Sequence, residues 1–300
     1  MKNSIYSRAV LRAGFLLALI GACSFARAGG PELPPLTSVE GNPRLPGKFI
    51  WADLVTDDVA AARTFYKQLF GWQFAIAGDY SFVINDSHPI AGMFQKSKPA
   101  NDPKAKPRWF GFISVPNVKK AEKKVIAGGG RTLMPPQNFP KRGEQAVFAD
   151  PEGAMFGVMK SSAGDPEDTQ GGLGDWIWIQ LLSRDGRTAS DFYRNVCGYE
   201  VIENSTPNRV NDYVLVSKGY ARATVRTLQT SREEAVPTWL PYVRVASVPE
   251  TVAKAKQLGG TVLIDPKPSL LNGKVAVLAD PTGAAFGVLE WSEDLVKGAR

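Results

Sequence analysis

Between Trp51 and Thr56 the side chains alternate in the manner of a short strand, with a period of two. Beyond Asp58 the period lengthens. Ala62, Phe65, Tyr66, Leu69 and Phe70 fall three or four residues apart, on one face of a three-turn helix. Asp58 stands where its carboxylate can accept a hydrogen bond from the first free helical N–H groups. Gly71 stands where a left-handed residue would end the helix. Strand-like runs follow at "WQFAIA", "YSFVIN" and "PIAGMF". A second, weaker version of this order begins at "WFGFISV". It continues through the helix "NVKKAEKKVIAGGG", a strand around "RTLM" and the hairpin "AVFADPEGAMFGVMK". Val118, Ala121 and Val125 form the apolar stripe of that helix, and its four lysines read as the wet face. Asp150-Pro151-Glu152-Gly153 suits a tight reversal, with Gly153 free to take positive φ.

All of this recurs. "WADLVTDDVAAARTFYKQLFGW" returns 127 residues later as "WIQLLSRDGRTASDFYRNVCGY", and "ADPEGAMFGV" returns at an offset of 130 as "ADPTGAAFGV". Between them, "YVRVASVPETVAKAKQLGGTVLI" repeats the second helix and strand. The chain therefore reads as an α+β protein of four βαβββ units, paired into two modules at 46–161 and 173–292. The intervening 162–172, within "SSAGDPEDTQGGLGD", has the polar and turn-forming residues of a domain boundary, and 293–300 is a tail.

The two "FY" helices and the two "ADPxG" hairpins resemble the vicinal oxygen chelate superfamily, which includes glyoxalase I, bleomycin-resistance proteins and extradiol dioxygenases. The resemblance covers about residues 46–160 and 173–291. It implies that each pair of units curls a mixed sheet into a cup with helices outside. It further implies a ligand or a divalent metal inside the cup, held by a His or Gln of a unit's first strand and a Glu of its last. In this chain those positions carry Trp51, Trp178, Gly157 and Gly287, with Phe110 and Leu240 in the second units. A catalytic divalent site needs about three protein ligands and an open position. None of these six side chains supplies one, so the expectation is no metal, no cofactor and no assigned catalytic residue.

If those positions face inward, the period of two brings other residues with them. The candidate ligand pocket is then Trp51, Asp53, Phe110, Phe112 and Gly157 in one module. In the other it is Trp178, Gln180, Tyr242, Arg244 and Gly287. Met155, Met159, Leu240, Ala285 and Leu289 share these faces. The two glycines would leave room beside their strands. An aromatic wall with a few polar groups suits a small molecule, although the same rings also serve as core filling. Asp53 and Arg244 stand out because burying an unpaired charge is costly. His88, the single histidine, lies in the turn-like "NDSHPIAG", as a solvated turn residue or a lone ligand. Three functions remain open: a metal-free binder of an aromatic or amphipathic molecule, an enzyme with a divergent metal site or a base at Asp53, and a structural protein of the cell envelope. One histidine is too few for a Ser-His-Asp or Cys-His arrangement beside other work.

Composition adds an address. Three hundred residues suit two domains of about 150 each. Lys2, Arg8 and Arg12 precede the apolar "AGFLLALIGA", which is too short to span a bilayer, so residues 1–28 read as an export signal. "IGAC" resembles a lipobox ending at Cys23, the candidate lipidation site, while "ARA" ending at Ala28 suits ordinary signal peptidase. The expected place is the periplasmic face of a membrane, by lipid anchor if Cys23 is acylated, or else the soluble periplasm. Residues 29–45, rich in Gly and Pro, read as an extended tether. Cys197 is the only other cysteine, which excludes an internal disulfide in the mature chain, and its helical position suits a small buried hydrophobe. The formal charge of +7 loses four cations with the signal. What remains is too small an excess to argue for nucleic acid. The expected partner is an unidentified small molecule, bound by a monomer with an internal pseudo-dimer or by a homodimer.

Overall fold

The structure, a computed structural model, describes residues 33–37, 41–95, 106–204, 212–228 and 236–291. The export signal, Cys23 and the tail 293–300 lie outside the described residues. The first unit runs β1 (Phe49–Thr56), α1 (Val59–Phe70), β2 (Gln73–Ala77), β3 (Tyr80–Asn85) and β4 (His88–Gln95). The second is β5 (Arg108–Ser114), α2 (Val118–Ala127), β6 (Arg131–Phe139), β7 (Gly143–Ala149) and β8 (Met155–Ser161). The third and fourth repeat them. They comprise β9 (Trp176–Ser183), α3 (Gly186–Cys197), β10 (Glu200–Glu203), β11 (Asp212–Ser217) and β12 (Tyr220–Thr227), then β13 (Thr238–Arg244), α4 (Val248–Gln257), β14 (Thr261–Ile264), β15 (Val275–Ala279) and β16 (Ala285–Leu289).

The helix ends are as the sequence predicts. Asp58 Oδ1 accepts from the Ala61 N–H at 2.9 Å and Gly71 closes α1 at φ 81°. Asp185 and Gly198 do the same for α3. Each module is one eight-stranded mixed sheet, ordered β2-β3-β4-β1-β5-β8-β7-β6 and β10-β11-β12-β9-β13-β16-β15-β14. At the middle, β1 runs antiparallel to β5, while β4 pairs parallel with β1 and β8 parallel with β5.

The sheets bury their two faces differently. One face of each, with its helices, packs against the other module. A first core joins α2 to α3 through Val118, Val125, Phe192 and Tyr193, and a second joins α1 and α4 through Phe65, Leu69, Val248 and Val252. The repeated motifs close this interface. Trp239 Nε1 donates to Tyr193 Oη at 2.8 Å, and Tyr193 Oη donates to Asp150 Oδ2 of the other module at 3.1 Å. Trp109 Nε1 donates to Tyr66 at 2.8 Å in the matching place, and Tyr66 stands beside Asp280. The "FY" tyrosines and the "ADPxG" aspartates thus join the modules.

The opposite faces form separate clusters, one in each cup. The first contains Trp51, Tyr80, Phe82, Phe110, Phe112, Val147 and Met159, the second Leu240, Tyr242, Val277 and Leu289.

The segment 29–45 differs from a free tether in its described part. Leu33 and Leu36 are buried in the first cup's cluster. They stand three residues apart, the spacing that puts two side chains on one side of an extended proline-rich chain. Further on, Leu45 N–H donates to Asp165 Oδ2 at 2.6 Å, and Arg44 donates to the Ser161 carbonyl. The linker is tied down as well. Asp165 is buried and also accepts from Ser114 Oγ and Ser161 Oγ at 2.6 and 2.7 Å. Cys197 is buried with its thiol pushed up to about 12 by desolvation, far from a reactive thiolate.

Candidate functional site

In the first cup the centre is Asp53. Its Oδ1 accepts from Trp51 Nε1 at 2.8 Å and from Tyr80 Oη at 2.6 Å, all three groups being buried. Register brings them together. Asp53 lies opposite Phe110 on one side and Gly92 on the other, and Gly92 in turn lies opposite Phe82 on β3. A Cβ at Gly92 would sit 1.7 Å from Tyr80 Oη, so only glycine lets the phenol cross β4 to reach Asp53. Burial raises the Asp53 carboxyl above its ordinary value, opposed by the hydrogen bonds from Tyr80 and Trp51 and by the charge of Arg142. Burial, aided by the Asp53 charge, also holds Tyr80 well above the usual phenol range, so it remains a donor.

Arg142 enters from the turn between β6 and β7. It is 1% exposed, with its guanidinium carbon 4.2 Å from the Trp51 ring centroid and 6.0 Å from that of Phe82. Its Nε and Nη2 are buried with no hydrogen-bond partner among the described residues. A residual cavity of about 40 Å³ is lined by Leu33, Asp53, Tyr80, Phe94, Phe110, Phe112, Met134, Phe139, Gln145 and Val147. That volume holds little more than water, whereas small-molecule pockets span about 300–1,000 Å³. Leu33 and Leu36 close the cup.

The second cup closes on itself. Thr224 Oγ1 accepts from Trp178 Nε1 and from Gln180 Nε2, both at 3.1 Å, and Tyr242 Oη donates to Gln180 Oε1 at 3.1 Å. Arg244 stands apart from this network. Its Nη1 donates to the Gly171 carbonyl at 2.9 Å, tying the linker to β13. His88 lies at the start of β4, half exposed, with Nε2 3.2 Å from Asp175 Oδ1 across the module boundary.

The fold family implies a metal, and the side chains at its positions test whether one fits. Phe112 lies opposite Gly157, and Tyr242 opposite Gly287. A Cβ at Gly157 would meet the Phe112 ring at 2.3 Å, and one at Gly287 the Tyr242 ring at 2.1 Å. The rings therefore fill the room that the two glycines leave. In both modules an aromatic ring lies where a carboxylate would have to stand, and Trp51 and Trp178 present indoles in place of donors. No group of three His, Cys, Asp or Glu side chains gathers among the described residues. This donor set does not fit a divalent ion.

The structure thus gathers Trp51, Asp53, Phe110, Phe112 and Gly157 in one cup, and Trp178, Gln180, Tyr242 and Gly287 in the other. Sequence reading missed Tyr80, Gly92, Arg142, Thr224 and the two leucines. Alternation within "YSFVIN" hints at Tyr80, but nothing local marks Arg142.

Two tandem modules of this topology, each with a cup walled by aromatic residues, define a class that the comparisons bear out. Residues 48–158 match the Glyoxalase/Bleomycin resistance protein/Dioxygenase superfamily, and residues 176–289 match the Glyoxalase-like domain. The chain belongs to this superfamily. Among its relatives, the anthracycline biosynthesis protein DauV of Streptomyces sp. is 31% identical over 263 residues, covering 83% of this chain and 94% of that one. CFP32 of Mycobacterium bovis, provisionally named a glyoxylase, is 31% identical over 248 residues, covering 80% and 93%. Among solved structures, a Mn(II)-bound glyoxalase from Novosphingobium aromaticivorans has the same fold, with TM-score 0.53, 15% identity and 82% of each chain covered. The 2,3-dioxygenase LapB from Pseudomonas sp. KL28 aligns at TM-score 0.57 with 12% identity, over 83% of this chain and 93% of that one.

Proposed function

We propose that this chain is an exported binding protein of its superfamily that takes a small aromatic molecule into its first cup without a metal. The observation that carries the reading is the doubled placement of an aromatic ring over glycine, Phe112 on Gly157 and Tyr242 on Gly287. The same replacement in both modules removes the donors and adds apolar wall. Relatives named for anthracycline biosynthesis support a planar, fused-ring ligand. A second reading, cofactor-free proton transfer by Asp53, draws on its place in the lining of the first cup, where burial raises its carboxyl above the ordinary value.

The test is metal retention beside ligand binding. The purified protein, loaded in turn with zinc, nickel, manganese and iron and then dialysed, should keep far less than one ion per chain. Fused-ring aromatics should raise its melting temperature in proportion to RT ln(1 + [L]/Kd). Stoichiometric retention that is lost in Asp53→Ala would overturn the reading.

Export rests on the leader and on Cys23. Leu33 follows Cys23 by ten residues, so an acylated Cys23 would hold the mouth of the first cup within about 36 Å of the lipid surface. Cys23→Ser should abolish lipid labelling and release the protein into the soluble periplasm. A wild-type chain that begins at Gly29 and carries no label would refute the anchor.

A further inference from the structure

We propose that the first cup binds its aromatic ligand through an acidic group, a carboxylate or an ionised phenol, gripped by the Nε–Nη2 edge of Arg142; this rests on the binding reading above and specifies the ligand's charge. Arg142 is almost wholly buried, and both atoms of that edge lack partners. Burying guanidinium N–H groups without partners is costly; Arg222 also leaves its Nε unpartnered but uses Nη1 on Asp168, and two other arginines satisfy the whole edge. Arg226 applies Nε and Nη2 to Asp212 Oδ2 at 3.3 and 3.2 Å. Arg44 applies the same two atoms to the Ser161 carbonyl at 3.2 and 3.0 Å.

Asp53 does not fill the role for Arg142. Its Oδ1 is taken up by Trp51 and Tyr80, and it acts on the guanidinium only through space. The Arg142 guanidinium carbon lies over the Trp51 ring, 4.2 Å from its centroid. Its Nε and Nη2 thus hold two donors with no partner among the described residues, the pair that a carboxylate matches with two parallel hydrogen bonds. An ionised phenol would accept from the same edge with a single oxygen.

The body of the ligand has a place as well. Leu33 and Leu36 fill the cup beside Phe110 and Phe112, and a fused-ring body can take over those contacts when the segment withdraws. In the second cup Trp178, Gln180, Thr224 and Tyr242 bond one another and Arg226 is paired, and the buried donors left over, Trp291 Nε1 and Arg222 Nε, are single atoms and not a two-donor edge. Among the described residues only Arg142 leaves two guanidinium nitrogens without partners, and it stands in the first cup.

The experiment compares 2-naphthoate with 2-naphthamide, which share a ring system and differ in charge, by calorimetry and by quenching of tryptophan fluorescence. The wild type should bind the acid at least about tenfold more tightly, the effect of a charge-assisted, two-point contact. Arg142→Met, which keeps an unbranched apolar stem without the guanidinium, should bind both probes alike. Arg142→Lys, which keeps the charge without the fork, should show an intermediate preference. Equal binding of acid and amide by the wild type, or an undiminished preference for the acid in Arg142→Met, would overturn the Arg142 site and leave the aromatic-binding reading standing. Binding of neither probe would overturn both. If Arg142→Met fails to fold by circular dichroism, the wild type and Arg142→Lys still decide the matter.

Discussion

Asp53 ionises with difficulty because burial takes it out of water, and the two donors on Oδ1 restore only part of that loss. Its folded-state value therefore lies above the ordinary 3.8, so the folded chain holds this proton more tightly than the unfolded one. The contribution to stability is full below 3.8 and is lost as pH rises through the raised value. Asp150 and Asp280, also raised chiefly by burial, act in the same sense. Asp53→Asn keeps an acceptor for Trp51 and Tyr80 but cannot ionise. Its stability relative to wild type should grow as pH rises from 4 toward 7, read from urea unfolding at each pH. A difference that stays constant over that range would show that Asp53 titrates like an exposed carboxylate. Of the residues around it, Trp51, Phe110 and Phe112 were legible, because alternation along one strand assigns a side chain to a face. Tyr80 was not, since it reaches Asp53 by crossing an intervening strand at Gly92.

Segments show the same division. The helices announce themselves through spacing and caps, and Asp58, Gly71, Asp185 and Gly198 take the positions that local chemistry dictates. The proline-rich run before β1 does not announce its destination. Its composition describes a flexible or extended chain, yet Leu33 and Leu36 are seated in the first cup. Burying a leucine stabilises by about 1.5–3 kcal/mol, enough to hold such a run in place if the cup supplies the wall. Leu33→Ser with Leu36→Ser should lower the unfolding free energy by up to about twice that amount. It should also expose Trp51 to acrylamide quenching and tighten binding of aromatic probes. Unchanged quenching and affinity would show that the segment does not close the cup.

The two modules are interlocked. Each of the two main cores draws helices and strands from both, and the Trp239–Tyr193–Asp150 chain crosses between them, as does the contact of Tyr66 with Asp280. A half molecule spanning 46–161 would expose α1, α2 and one whole sheet face to water. Expressed alone, it should be insoluble or lack a cooperative unfolding transition, and co-expression with 173–292 should restore one. A cooperatively folded, monomeric 46–161 would contradict the packing described above. The recurring tyrosines and aspartates thus serve the seam between the duplicated modules.

The amino-acid order alone was enough for the four βαβββ units, their pairing into two modules, the family, and which strand residues share a face. All of these follow from short-range periodicity or from internal repetition, which are written in consecutive residues. It also placed Trp51, Trp178, Gly157 and Gly287 where the resemblance implies metal ligands. Only the folded arrangement disclosed that Phe112 and Tyr242 cover the two glycines, that Tyr80 reaches Asp53 over Gly92, that two leucines close the cup and that Arg142 Nε and Nη2 have no partner there among the described residues. Each depends on contacts between residues far apart in the chain, where strand register, burial and the lack of a partner are properties of surroundings that no local stretch encodes.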